Sequence, residues 1–385
     1  MKQHKILIMI TRNLGEFDVV FPIIAALKQK YSVKVELVIV VKELYEKFIG
    51  NDFYIYCARS LNCKISFLWL PNKFDPEFRQ LMVSASSIGY VLVRLYFNVI
   101  LLWKLPGLLP KLLSANIYMH ENSNQLHSTK PIYWISKILN RNIYAYFHGH
   151  AIPIDTKATR KITYSERVCL LQLHNRSEKY MKQLGFTNQY TIGYPKFFKE
   201  WISAVKKYNK SEFEGKEVAL IYTRGVHTFY MDEDKYINLL ASSCRVIRKK
   251  MGEVLIVVKP HPSEDIEFIK QVLGRENVAN YIISMEHAAV LAKNAKIAIS
   301  LYTSAILDSM SMGVPSIEYY NEANRYREVE PEGSSFKKLG IHSVDNEQAL
   351  EVFFDMVLSG CYEIPPIIHE ISQGKDVGFL ENNFK

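Results

Sequence analysis

Short, unbroken apolar runs alternate along this chain with stretches in which apolar residues recur every three or four positions. Lys5–Ile10, Val33–Val41, Ile65–Trp69, Asn116–Met119, Ile143–Phe147, Val168–Leu173 and Gln189–Ile192 have the character of strands buried on both faces of a parallel sheet. Phe17–Lys30, Pro131–Leu139 and Ser177–Leu184 carry helical spacing between them. The alternation pauses over 196–216, a stretch rich in Lys, Tyr and Ser. It then resumes with strands Glu217–Tyr222, Val254–Val258, Ile297–Leu301 and Ser316–Tyr319 and helices Asp232–Met251, Ser304–Met312 and Asn346–Leu358. Such a pattern in two halves predicts an α/β protein with two Rossmann-like domains, 1–195 and 217–358, joined by a linker at 196–216 and followed by a tail at 359–385. The polar, aperiodic segment Asn321–Lys338 reads as a flexible loop.

One segment breaks the pattern. Ser84–Trp103 is apolar almost throughout, with Ser87, Arg94 and Asn98 on one narrow helical stripe, and it runs into KLPGLLPKLL. A spanning helix needs roughly 20 apolar residues free of charge, and Arg94, Lys104, Pro106 and Pro110 interrupt this one. Two readings stay open. The helix is buried in the first domain, or it lies at a membrane surface with Lys104 and Lys111 among the headgroups.

Composition narrows the function classes. With 385 residues and 48% hydrophobic content, the chain has material for two cores and is no disordered tail. Five scattered cysteines without metal-ligand spacing, and an apolar start too short for a signal peptide, predict a reduced, cytoplasmic protein, peripheral on the inner face of a membrane if it binds one. The formal charge of +9 favours anionic partners: a nucleotide-activated donor or an anionic membrane surface. No nucleic-acid-binding motif is present, so no nucleic-acid partner is expected.

The candidate chemistry lies at strand ends. Lys259-Pro260-His261-Pro262 follows one apolar run, and each proline holds the residue before it extended. Tyr302-Thr303-Ser304 follows another and opens a helix, where hydroxyls and unpaired N–H groups suit an anion. Arg224 ends a strand where a guanidinium can pair with a diphosphate or a sugar carboxylate. Glu318 sits where a carboxylate can accept from ribose hydroxyls. In the first half, His120-Glu121-Asn122 and His148-Gly149-His150 follow strands, so Glu121, His148 or His150 can take a proton from a hydroxyl. The loop Thr11–Gly15 lacks the GxGxxG fingerprint, so no dinucleotide site is expected. No third ligand joins His148 and His150, and no metal is expected. Plainer roles stand beside each of these: a rigid Pro-His-Pro turn, a helix cap at Thr303 or Ser304, a hydrogen-bonded loop histidine, a solvated Arg12.

The Lys-Pro-His-Pro and Thr-Ser pair resembles the second domain of a group of bacterial GT-B transferases. The group comprises CDP-glycerol glycerophosphotransferases, sialyl- and polysialyltransferases, and Kdo transferases. The resemblance covers about half of the chain at the level of motifs, and it implies two domains facing a cleft. It implies further that Lys259, His261, Thr303 and Ser304 bind the phosphate of a CMP- or CDP-activated donor, with no separate cofactor. The acceptor is then a cell-surface glycan or a lipid-linked one. The loop bearing Arg12 and Gly15 would face the acceptor, and the tail would cross back to the first domain. His148-Gly149 is similar to the His-Gly-Thr of the glycerophosphotransferases, with His150 in place of Thr, and Gly193-Tyr194-Pro195 to their exit from the first domain. Sialyltransferases instead carry an acidic motif, of which His120-Glu121-Asn122 is a poor copy. Two further readings are a UDP-N-acetylglucosamine 2-epimerase-like isomerase and a non-catalytic, nucleotide-binding scaffold of glycan assembly.

Overall fold

A computed structural model of the chain describes residues 4–70, 87–122, 129–147, 167–321, 323–366 and 377–383. The chain forms two compact units, Met1–Trp201 with Gly374–Lys385, and Ile202–Gln373. The division falls within the helix Lys199–Lys207, and the stretch 196–216 opens with a 3-10 turn at Pro195–Phe197 and that helix before it continues as turns.

The first unit holds a seven-stranded sheet. Its strands are β1 (His4–Ile10), β2 (Val33–Ile39), β3 (Cys63–Phe67), β4 (Ile117–Glu121), β5 (Ile143–Tyr146), β6 (Val168–Gln172) and β7 (Asn188–Thr191). The order is β3-β2-β1-β4-β5-β6-β7, and every pairing is parallel. The apolar runs are strands because helices cover both faces, so residues of either parity are buried, as Ile6, Leu7, Ile8, Met9 and Ile10 all are. The last described segment closes this unit: Val377, Phe379 and Leu380 are buried, and the Phe379 ring packs 4.7 Å from Tyr144 and 5.9 Å from Tyr190.

The second unit holds a six-stranded parallel sheet. Its strands are β8 (Val218–Tyr222), β9 (Leu255–Lys259), β10 (Tyr281–Ile283), β11 (Ala295–Ser300), β12 (Ser316–Tyr319) and β13 (Ser343–Val344), in the order β10-β9-β8-β11-β12-β13. In each sheet the order reverses beside the first strand, between β1 and β4 and between β8 and β11. The connections diverge there and leave room at the carboxyl ends, where open α/β sheets bind ligands.

Three expectations about elements need correction. The apolar helix runs from Ser87 to Ser114, straight through Pro106 and Pro110. Its Phe97, Leu101, Leu108 and Leu112 are buried along one face, which compensates for the helix bonds the prolines remove. Arg141 caps its end by donating through Nη1 to the carbonyls of Leu112 and Leu113, each at 3.0 Å, and to that of Ala115. The segment expected as a flexible loop at Asn321–Lys338 contains helices Asn324–Val329 and Ser335–Lys338, anchored by buried Tyr326 and Phe336. The helix expected to start at Ser304 starts at Ile306 and ends at Ser311.

Candidate functional site

In the second unit the parallel register aligns Tyr222 with both Lys259 and Ser300, so the residues after β8, β9 and β11 emerge side by side. Arg224, Lys259, His261 and Thr303 come together on adjacent strand ends. What fixes these loops is Glu264, which the sequence reading did not single out. Its Oε2 accepts from the Thr223 hydroxyl at 2.7 Å and from the His261 backbone N–H, and its Oε1 accepts from the Tyr236 hydroxyl at 2.9 Å. Burial raises the Glu264 pKa, and those hydrogen bonds and the Arg224 charge oppose the rise. Gly225 makes the approach possible. It sits at φ +82, where only glycine is unstrained, and a Cβ there would lie 2.6 Å from Glu264 Cγ.

His261 is held in one tautomer. The Ser263 backbone N–H donates to Nδ1 at 3.3 Å, which makes Nδ1 an acceptor, and the Ser263 hydroxyl lies 2.7 Å from the same nitrogen. The proton of the neutral ring therefore belongs to Nε2. Burial, then the charges of Arg224 and Lys259, push the His261 pKa down to about 4. At neutral pH it is an uncharged N–H donor.

Arg224 lies over aromatic faces, its Cζ 5.1 Å from the Tyr230 ring centroid and 5.9 Å from that of Tyr302. Its Nε is buried without a hydrogen-bond partner among the described residues. A buried guanidinium N–H left without an acceptor is costly, and an anionic oxygen from a ligand would relieve it. Tyr302 adopts φ +60, a left-handed conformation unusual for a residue with a side chain. Its ring is fixed in an aromatic cluster, 4.5 Å from Tyr320, 5.3 Å from Tyr230 and 5.5 Å from Tyr326. The turn after it is tied by Ser300, whose hydroxyl accepts from the Thr303 N–H at 3.0 Å and donates to the Thr303 carbonyl at 2.9 Å. Ser304 is half-buried at the same turn. Glu318 lies deeper than the ribose-binding role requires. It is fully buried, and its Oε2 accepts from the hydroxyls of Ser334 and, at 2.8 Å, Ser343. Its described contacts hold the segment between β12 and β13.

In the first unit the switch point is acidic. Glu16, also not singled out from sequence, turns back into the β1 loop. Its Oε1 accepts from the backbone N–H of Thr11 at 2.9 Å and from that of Arg12, and its Oε2 accepts from the Tyr146 hydroxyl at 2.8 Å. Complete burial, helped by the charge of Glu121, raises its pKa to about 7, against the pull of these hydrogen bonds. Glu121 ends β4, buried, with Arg12 Nη1 at 3.8 Å from its Oε1. Gly15 lies in the 3-10 turn Leu14–Glu16. His120 is buried with both nitrogens bonded, Nδ1 to the Glu121 carbonyl at 2.8 Å and Nε2 to the Tyr133 hydroxyl at 2.9 Å. Burial lowers its pKa to about 4, so His120 is a neutral packing group. His148, Gly149 and His150 lie outside the described residues. Among the described residues no group of three His, Cys, Asp or Glu side chains is placed to hold a metal ion.

No family model matches the sequence, and no curated protein matches it. Solved structures do. The UDP-GlcNAc 2-epimerase of Methanocaldococcus jannaschii is similar at a TM-score of 0.54 and 11% identity, over 93% of each chain. Anabaena HepE in complex with UDP and glucose is similar at 0.54 and 11%, over 99% of this chain and 98% of that one. A glycosyltransferase from Rickettsia africae is similar at 0.50 and 12%, over 100% and 97%. At such identities the likeness is one of fold: two parallel-sheet α/β domains of the GT-B fold. The expected restriction to cytidine donors gains no support, since the nucleotides named with these structures are uridine ones.

Proposed function

We propose that this chain is a metal-independent, glycosyltransferase-type enzyme that moves a sugar or a polyol phosphate from a nucleotide-activated donor to a glycan or lipid-linked acceptor. Arg224 carries the reading, because its buried Nε–H, without a partner among the described residues, suits a phosphate oxygen. His261 donates Nε2–H beside it as a neutral group, and Lys259, Thr303 and Ser304 complete the set of donors. Together they hold the donor phosphate and stabilise charge on the leaving nucleotide. In the first domain His148 takes the proton from the acceptor hydroxyl, with Glu121 and His150 as the alternatives. The Lys259–Pro262 and Thr303-Ser304 pattern favours CMP or CDP, whereas the fold neighbours favour UDP.

An isomerase acting on the donor alone is the second reading. The buried Glu16 and Glu121 carboxylates at one switch point favour it, since epimerisation needs acid–base groups around a sugar ring. Titration calorimetry with CMP, CDP, UDP and GDP identifies the base. NMR of UDP-GlcNAc incubated without acceptor separates the two chemistries, because only an isomerase changes it. Arg224→Ala and His261→Ala are each expected to weaken the preferred nucleotide roughly tenfold or more, as loss of a charge-assisted hydrogen bond implies. Unchanged affinity in both variants refutes the donor site. Weak binding of all four nucleotides without discrimination means a scaffold.

A further inference from the structure

The helix Ser87–Ser114 is apolar on two faces, and among the described residues only one of them is buried. Phe97, Leu101, Leu108 and Leu112 are buried, while Leu92, Leu95, Tyr96, Val99, Leu102 and Trp103 form an exposed stripe at helical spacing, with Trp103 80% exposed. The helix Lys130–Leu139 packs beside it and extends the apolar surface with Trp134 and Ile138, the latter 74% exposed. A bond from Lys130 Nζ to Asn98 Oδ1 at 3.0 Å ties the two helices. Exposed apolar side chains clustered on two neighbouring helices mark an interaction site.

The charges select the occupant. The two helices carry Arg94, Lys104, Lys111, Lys130 and Lys137 and no Asp or Glu. Lys104 and Lys137 are exposed. An apolar stripe with exposed tryptophans and the exposed cations Lys104 and Lys137 beside it matches an anionic lipid surface. Lys111 is paired with Glu36, but a second copy of the chain matches the stripe poorly, because a two-fold contact would set the exposed Lys104 and Lys137 against like charges. By length and composition the helix could also span a bilayer. Its other face is committed to the core of the first domain, and this keeps it in the plane of the interface.

We propose that the first domain docks on anionic membranes through this stripe, with the Ser87–Ser114 helix, about 42 Å long, lying along the headgroup–acyl boundary. The face is distinct from the nucleotide site of the second domain, so the docking stands or falls independently of the proposed activity.

Co-sedimentation of the full chain with vesicles tests it. One set is pure phosphatidylcholine, and the other contains phosphatidylglycerol as the minor component. Binding is expected to the second set, to fall with added salt, and to weaken roughly fivefold for each of Lys104→Gln and Lys137→Gln, the worth of one cation near such a surface. Leu102→Glu with Trp103→Glu, both at exposed positions, is expected to abolish it. Val352→Glu, an exposed apolar position in the second domain, should leave it unchanged. Recovery of the wild-type chain in the supernatant with both vesicle types overturns the proposal. So does a concentration-dependent dimer that the Leu102/Trp103 variant dissolves while vesicle binding is unaffected.

Discussion

Glu16 offers the sharpest test of the first-domain site. Its folded pKa is raised to about 7 from the ordinary 4.5, so between those values the native state holds a proton that the unfolded chain has released. Stability therefore falls as pH rises through that window, and the loss is complete above the folded pKa. A shift of this size corresponds to about 3 kcal/mol, of which about 2–3 kcal/mol is expressed between pH ~5 and ~8. Glu16→Gln keeps an oxygen for the two backbone N–H groups and removes the charge. It also loses the oxygen that accepts from Tyr146, at a cost that does not vary with pH. The informative quantity is therefore the change in the variant's relative stability between the two pH values, in which that constant cost cancels. The variant should gain about 2–3 kcal/mol on wild type from pH ~5 to ~8. All four tryptophans, Trp69, Trp103, Trp134 and Trp201, belong to the first unit, so urea unfolding followed by tryptophan fluorescence reads that domain selectively. A difference that stays constant across pH refutes the raised pKa. Glu121→Gln supplies a control, because removing the like charge should lower the Glu16 midpoint seen by carboxyl carbon NMR.

Gly225→Ala forces a side chain into positive φ and against Glu264. It is expected to cost more than about 1 kcal/mol in urea unfolding of the second domain and to weaken nucleotide binding, because Glu264 positions Thr223 and His261. Wild-type nucleotide affinity in that variant would mean the Glu264 anchor is irrelevant to the site. His148→Ala is expected to lower turnover roughly 100-fold with donor affinity retained, and Glu121→Gln to lower it less. The reverse ranking in a transfer assay assigns the base to Glu121.

The strands of both sheets were legible because residues of both parities are buried and the runs stay apolar. Strands β10 and β13 were not, since three and two residues carry too little pattern. Pro106 and Pro110 signalled a break, but packing of Leu101, Leu108 and Leu112 outweighs that local preference. That Arg224, Lys259, His261 and Thr303 lie together was legible because strand ends beside a reversal of order adjoin in any such sheet. Glu16 and Glu264 escaped notice because their partners are backbone N–H groups and hydroxyls brought round by the loops, and such acceptors leave no spacing in the sequence. Glu318 sat at the expected strand end, yet its depth depends on the segments that cover β12 and β13.

The return of the chain to its first unit has a consequence for biosynthesis. Val377, Phe379 and Leu380 seal the unit beside Tyr144 and Tyr190, yet they leave the ribosome only after the whole of the second unit. At roughly 5–20 residues per second, translation from Trp201 to Gly374 takes on the order of ten to thirty seconds. For that interval the nascent first unit exposes the apolar seat of Phe379, while the continuous second unit can complete itself as it emerges. The order of completion is thus inverted relative to the order of synthesis. The early-made half is the one that waits, and it is the half a chaperone would meet.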